Sequence, residues 1–464
     1  RKMDHKEPDT LFDLATQSLL SNERAAIHAL GVMPRKLFVP FFNAAFLGGH
    51  KNILMATVKM WPFPCLHMGT LKARESQCEL VKTMVESLQV LPAQDSASWN
   101  PKLRILDLRE NAVCRNVCPE SHEKSHTCFH SCAYFEHTAQ NTEAQCNVAN
   151  AQSEVQSSRH SVQLIVDLSL DGTLRERTFF SLLLNKVEQS LGSLHLCCRD
   201  LKINKLYNCK NTLRFLNLKC VNHLAVEIAT LNEVTKLLSL VFQLDKLSLS
   251  KITCTSFNGK AFKDFTAHLN HMSKLKELTL SSFCLTDHIG NLLRGLPLPL
   301  DCLSLPLSGL SSNDFKFLSQ CPQTNYLTLL NLSDNRIFWG DCEPFQDLLE
   351  KVSGTLRHLE IDHCLITDSV MSVIIPALSH CSQLRVFSFA SNPITMSMLT
   401  RILHHLTHLT ELKYVVYPIP VHCFLFWPFQ DRLDIQQLAD VQVQLKRLLT
   451  AAQRTDMKWI TYSD

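Results

Sequence analysis

Leucine fills 76 of the 464 positions while glycine fills only 12, and the leucines recur in the pattern L-x-x-L-x-L-x-x-N/C at a spacing near 28 residues. Those observations predict an α/β fold: a leucine-rich-repeat solenoid (horseshoe) with an N-terminal helical cap. A repeat array also replaces the several unrelated domains that length alone would suggest.

The repeats come first. Three segments carry the full pattern: Leu103-x-x-Leu106-x-Leu108-x-x-Asn111, Leu327-x-x-Leu330-x-Leu332-x-x-Asn335 and Leu356-x-x-Leu359-x-Ile361-x-x-Cys364. With Phe or Tyr allowed at the aliphatic positions, further repeats open at Leu191, Leu213, Leu244, Leu275, Leu300, Leu384 and Leu409, and from Leu191 onward the openings step by 22 to 31 residues. A single strand-helix unit cannot bury its leucines alone, so neighbours must stack, and the Asn or Cys at the strand's end satisfies backbone groups at the turn. Residues 366–381 predict one of the helices, with Thr367 and Asp368 at its start and Val370, Val373, Ile374 and Leu378 at helical spacing. Residues 393–406 and 285–296 read the same way.

The flanks differ. Residues 1–100 lack the repeat spacing and predict a helical cap; 101–111 hold the first repeat strand, 164–440 the other repeats and 441–464 a C-terminal cap. Residues 109–163 contain no leucine in 55 positions, so 112–163 read as a flexible insertion. In the N-terminal cap, Asp9-Thr10 with Asp13 marks a helix start, and Leu11, Leu14, Ala15, Ser18 and Leu19 then share one face. That face either covers the open end of the leucine core or meets a partner. A second helix is expected to begin at Pro34, with Leu37, Phe38 and Phe41 apolar.

Charge and motifs narrow the function. Lys and Arg number 46 against 43 Asp and Glu, a net +3, which lacks the basic excess of a nucleic-acid binder. Residues 1–10 are polar, and no run reaches the ~18 apolar residues of a membrane span. A soluble protein is expected, cytoplasmic with the nucleus as a second location, and membrane is not a partner. The 19 cysteines are read as reduced, buried thiols. Cys114, Cys118, Cys128 and Cys132, with nearby histidines, are the only zinc candidates, but their C-x-x-x-C spacing argues for no metal. No G-x-S-x-G, P-loop or H-E-x-x-H occurs, so neither an active site of its own nor a cofactor is expected. Leu445-Lys-Arg-Leu448-Leu449 has the L-x-x-L-L form that docks on nuclear receptors, and equally suits a capping helix.

Residues 11–46, Trp61-Pro62-Phe63, Leu103 to Asn111, Leu378-Ser-His-Cys-Ser-Gln-Leu384 and Tyr417-Pro-Ile-Pro420 together resemble the PRAME family of germ-cell and tumour-associated leucine-rich proteins, which includes the rodent oogenesins. The resemblance spans nearly the whole chain except the insertion. It implies a substrate receptor of an elongin-dependent cullin-2 ubiquitin ligase, with elongin B/C and cullin-2 as partners and effects on proliferation, differentiation, apoptosis and receptor-driven transcription. Such receptors carry a BC box, matched here by Thr10, Leu11, Ala15 and Leu19. They also carry a cullin box, matched by Met33, Pro34, Leu37 and Phe41, where the aromatic at the last position departs from the pattern. The other reading is a non-ligase interaction scaffold such as a transcriptional corepressor. Only the adaptor requires Leu11, Ala15, Leu19 and Pro34 to face partners. Protein substrates would lie along the concave sheet, whose outward residues are expected to be Asn217, Ser248, Thr279, Ser304, Asn331, Glu360, Ser388 and Lys413.

Overall fold

A computed structural model describes residues 10–68, 78–88, 102–109, 161–170, 174–214, 216–241, 243–297, 299–425 and 432–462. The insertion and its cysteines therefore lie outside the described residues. The chain divides into two compact units, residues 1–202 with 209–221, and 203–208 with 222–464. It is α/β with parallel strands, as the leucine pattern requires.

In the first unit, helices α1 (Leu11–Leu20), α2 (Glu23–Leu30), α3 (Arg35–Leu47), α4 (Lys51–Lys59), α5 (Cys78–Ser87) and α6 (Leu174–Gln189) accompany strands β1 (Cys65–His67), β2 (Ile105–Asp107), β3 (Val162–Leu170) and β4 (Leu194–Lys205). Aromatic residues spaced along α3 explain the helical part. Phe38, Phe41, Phe42 and Phe46 are all buried, and Trp61 packs edge-on against Phe42 at 5.5 Å and Phe63 at 5.7 Å. Such rings bury large area and prefer this geometry. Trp61 Nε1 donates to the Cys65 carbonyl at 2.9 Å, fastening the helices to β1. That strand pairs in parallel with β2, so residues 1–100 are not purely helical. A three-residue strand without the leucine motif leaves no periodic signal.

The chain continues through α7 (Leu206–Leu213) and a 3₁₀ turn, Leu218–Cys220, to β5 (His223–Thr230). In the second unit α8 (Leu231–Leu238), β6 (Lys246–Ser250), β7 (Ile252–Thr253), α9 (Lys260–Asn270), β8 (Glu277–Ser281), α10 (Ile289–Leu293), β9 (Cys302–Ser304), α11 (Ser312–Gln320), β10 (Leu329–Asn331), α12 (Cys342–Val352), β11 (His358–Glu360), α13 (Asp368–Ser379), β12 (Val386–Ser388), α14 (Met396–Leu406), β13 (Tyr414–Val416), α15 (Ile435–Ala451) and β14 (Lys458–Ile460) follow. Register is set by the motif: Leu247 lies beside Leu278, Leu278 beside Leu303, Leu303 beside Leu330 and Leu330 beside Leu359. All are fully buried.

After each of these strands one residue turns to positive φ, with Lys251, Ser282, Leu307, Asp334, His363 and Ser391 all between 50° and 58°. A non-glycine residue there costs about 1 kcal/mol, and the motif's asparagine supplies the compensation. Asn392 Nδ2 donates to the carbonyls of Ile361, Phe389 and Ala390, while its Oδ1 accepts from the amides of Cys364 and Ile366. Asn335 does the same two repeats earlier, bonding Leu305, Leu332 and Ser333 carbonyls and the Ser308 and Leu310 amides. The helix expected over 366–381 is α13, capped by Thr367; α14 starts three residues later than the sequence suggests, and α10 is shorter. The C-terminal segment holds both α15, which begins before residue 441, and the strand β14.

Candidate functional site

Two faces combine accessible side chains with a rigid support. The first is on α1. Thr10 caps this helix, its hydroxyl accepting from the Asp13 amide at 3.2 Å while the Asp13 carboxylate accepts from the Thr10 amide at 2.8 Å. The hydrogen bonds from Thr10 hold the Asp13 carboxyl below its usual range. The inward stripe is Thr16 and Leu20, one turn apart. Consequently the Leu11 face turns outward: Leu11 is 86% and Leu14 52% exposed, Ala15 and Ser18 are exposed, and Leu19 is half-buried. Leu11 and Leu14 therefore do not cover a leucine core.

At the start of α3, Pro34 is the N-cap and not the first helical residue, and it is exposed. Arg35 beside it donates to the Pro62 carbonyl at 2.9 Å and lies 5.2 Å from the Phe63 ring centroid, fixing the turn. Met33 and Leu37 are half-buried. Phe41, read from sequence as the last cullin-box position, is 1% exposed within the aromatic core and offers nothing to a partner. The four-residue spacing that suits the motif is equally the spacing of a buried helical stripe.

The second face is the side of the second unit's sheet opposite the helices. Ser248, Thr279, Ser304, Asn331, Glu360 and Ser388 lie side by side in one row, but Ser388 is only 4% exposed and does not share the accessibility of the other five. Two residues expected there do not belong. Asn217 caps the 3₁₀ turn, accepting from the Lys219 amide at 3.2 Å, and Ala225 on β5 takes the row position beside Ser248. Lys413 precedes β13 and pairs with Asp456 at 2.5 Å, and Val416 is the residue beside Ser388. Both errors come from the repeat frame. The buried triplets are Val221, Leu224, Val226 and Leu412, Val415, Tyr417, displaced from the leucine triplets that open at Leu213 and Leu409 in sequence.

This row carries a polar network that the motif did not reveal. Glu360 accepts from Asn331 Nδ2 at 2.9 Å and pairs with His358 Nε2 at 2.6 Å. Asp362, two residues on, accepts from Ser388 Oγ at 2.6 Å, the Ala390 amide at 2.8 Å and Tyr462 Oη at 3.1 Å. Burial raises the Asp362 carboxyl, with the Glu360 charge adding to it. In the first unit a separate buried set joins His67 to Asp107 at 3.0 Å and Arg109 to Asp107 at 2.8 and 2.9 Å. Burial opposes the Asp107 charge, yet the hydrogen bonds from Arg109 and His67 hold its carboxyl below the usual range.

The remaining candidates are structural. Leu445 and Leu449 of the L-x-x-L-L segment are buried on the inner face of α15 and Leu448 is half-buried, so that segment packs as a terminal helix. Among the described residues no group of three or more His, Cys, Asp or Glu side chains is placed to hold a metal ion, and no helix is long and apolar enough to cross a membrane. Burial pushes the Cys364 and Cys381 thiols up to about 12 and that of Cys198 higher still.

Comparison with known proteins adds the relationship. Residues 8–114 match the PRAME N-terminal domain and 162–463 the PRAME C-terminal domain, which leaves residues 115–161, inside the leucine-free stretch, between the two matches. Human PRAME family member 20 is 32% identical over 90% of this chain and 87% of its own length. Members 12 and 8, also human, are 32% and 30% identical over 91% of this chain and 86% and 88% of theirs. None of these names is that of an enzyme.

Proposed function

The chain belongs to the PRAME family, and on that premise we propose that it is the substrate-recognition adaptor of an elongin-dependent cullin-2 ubiquitin ligase. The observation that carries this is the outward face of α1. Leu11 would fill a pocket on elongin C, Ala15 is small enough for two helices to approach closely, and Leu19 would edge the contact from its half-buried position. Exposed apolar side chains gathered on one short helix are the usual mark of a protein interface. Pro34, with Met33 and Leu37, would touch the cullin, and Phe41 would support that turn from within the core. Protein substrates would lie on the sheet face of the repeats, and their turnover would link the chain to proliferation, differentiation and apoptosis.

The substitution pair Leu11→Asp with Ala15→Arg tests this. Both positions are exposed, so the chain should fold and elongin C should be lost from its pull-down. Unchanged recovery of elongin C would remove the adaptor reading and leave a plain scaffold.

A further inference from the structure

Strand β14 stands last in the order of the sheet, with β13 on one side and, among the described residues, no strand on the other. The Lys458 N–H donates to the Lys413 carbonyl at 2.7 Å, and the Ile460 carbonyl accepts from the Tyr417 N–H at 3.0 Å. Residues 458 and 460 therefore spend their backbone groups on β13, and alternation along the strand turns the N–H and C=O of Trp459 to the open side. Among the described residues neither the Trp459 nor the Thr461 amide has an acceptor.

The core beneath this edge is also left open. Leu247, Leu278, Leu303, Leu330, Leu359, Phe387 and Val415 form the inner column of the preceding strands, and each is fully buried. Trp459 takes the next place, beside Val415, and is only half-buried. Its ring lies 6.0 Å from that of Tyr417, and its Nε1 is shielded from water yet has no acceptor among the described residues, although a buried indole N–H usually finds one. On the outward face Ile460 and Tyr462 are exposed, beside an exposed Tyr414 on β13. Proteins guard such edges with charge, proline or a bulge. Residues 457–462 hold no proline and one charge, Lys458, which is drawn over the Tyr414 ring at 5.7 Å. At the other end of the strand order, all three residues of β1 are buried.

We propose that β14 accepts one further strand: an extended segment of another protein, apolar on its outward side and carrying hydrogen-bond acceptors on its inward side. Its main chain meets the free N–H and C=O of Trp459, its apolar side chains lie against Ile460 and Tyr462, and an inward side chain next to Trp459 supplies the acceptor that the indole lacks. A second copy of this chain fits worse. Two β14 strands would overlap by three residues, about 10 Å, too little to bury the ~800 Å² per partner of a stable dimer. They would also set indole against indole, and an indole donates but cannot accept. The inference stands apart from the adaptor reading, whose contacts lie on α1.

The probe is the peptide Val-Gln-Val-Gln-Val-Gln, which sets an apolar face against an acceptor-bearing one, and the comparison is the same peptide N-methylated at every backbone amide. Hydrogen–deuterium exchange of the full chain, read by mass spectrometry over residues 457–462, follows the edge. In the free chain the Trp459 and Thr461 amides should exchange rapidly. Saturating probe should slow them at least about tenfold, and the methylated peptide should leave them unchanged. Thr461→Pro removes an edge N–H that bonds nothing within the described residues, so it should weaken the probe. Ile460→Lys, at an exposed position, should do the same and serves if the proline disturbs the strand. Val443→Lys, on the exposed side of α15, should leave the protection intact. Slow exchange in the free chain, which would mean that a second copy or this chain itself already covers the edge, overturns the proposal. So do an absence of protection by the probe, equal protection by the methylated peptide, or loss of protection in the Val443→Lys chain.

Discussion

Leu11→Ala should separate partner binding from folding. The side chain is 86% exposed, so truncation should change stability by no more than about 0.5 kcal/mol. Seating a leucine in a partner's pocket contributes about 1.5–3 kcal/mol. Loss of about 2 kcal/mol weakens binding roughly thirtyfold. Leu20 on the same helix is 8% exposed, and Leu20→Ala should cost about 2 kcal/mol or more of folding free energy through the cavity left behind. Calorimetric titration with the elongin B–elongin C pair, beside urea denaturation of each variant, reads both quantities. The reasoning fails if Leu11→Ala lowers the denaturation midpoint as far as Leu20→Ala does, because the face would then be packed. It fails equally if elongin binding is unchanged.

Three further outcomes follow from the geometry. Asn392→Ala strands the Ile361 and Phe389 carbonyls and the Cys364 and Ile366 amides, in the turns after β11 and β12, while the Ala390 carbonyl keeps the His363 amide, so denaturant unfolding should show a loss of about 3 kcal/mol or more. Asp167 has its carboxyl raised to about 6 by burial, against the pull of Arg109 and with the help of Asp200 and Asp107. The folded chain therefore holds that proton more tightly than the unfolded one, and this group's contribution falls as pH rises from about 4 to about 6. Melting curves across that window should show Asp167→Asn gaining on the unaltered chain, and parallel curves would refute it. Brief iodoacetamide treatment of native protein should modify the exposed Cys284 and spare Cys198, Cys364 and Cys381, whose raised thiols carry little thiolate; mass spectrometry of the peptides checks this.

The repeats were legible because one constraint acts at every level. The leucine at Leu330 must meet Leu303 and Leu359, and Asn335 and Asn392 must close their turns, so residue type and position are fixed together. The α1 start was equally readable, since Thr10 and Asp13 satisfy each other locally. Legibility failed where leucine was plentiful enough to offer a competing frame, as at Leu213 and Leu409, which misplaced Asn217 and Lys413. It failed again at Phe41, where one spacing serves both a partner motif and a buried stripe. The Glu360–Asp362 pair was half visible: Glu360 stood in the expected row, whereas the partners of Asp362 come from Ser388, Ala390 and the distant Tyr462, a convergence that no local pattern encodes.

The adaptor account is tested most directly by reconstitution. Purified full chain, elongin B, elongin C and cullin-2 should elute from gel filtration as a single complex, and the Leu11→Asp, Ala15→Arg chain should elute apart from the other three. A chain that elutes alone, with its α1 face intact and all three partners present, would contradict the account.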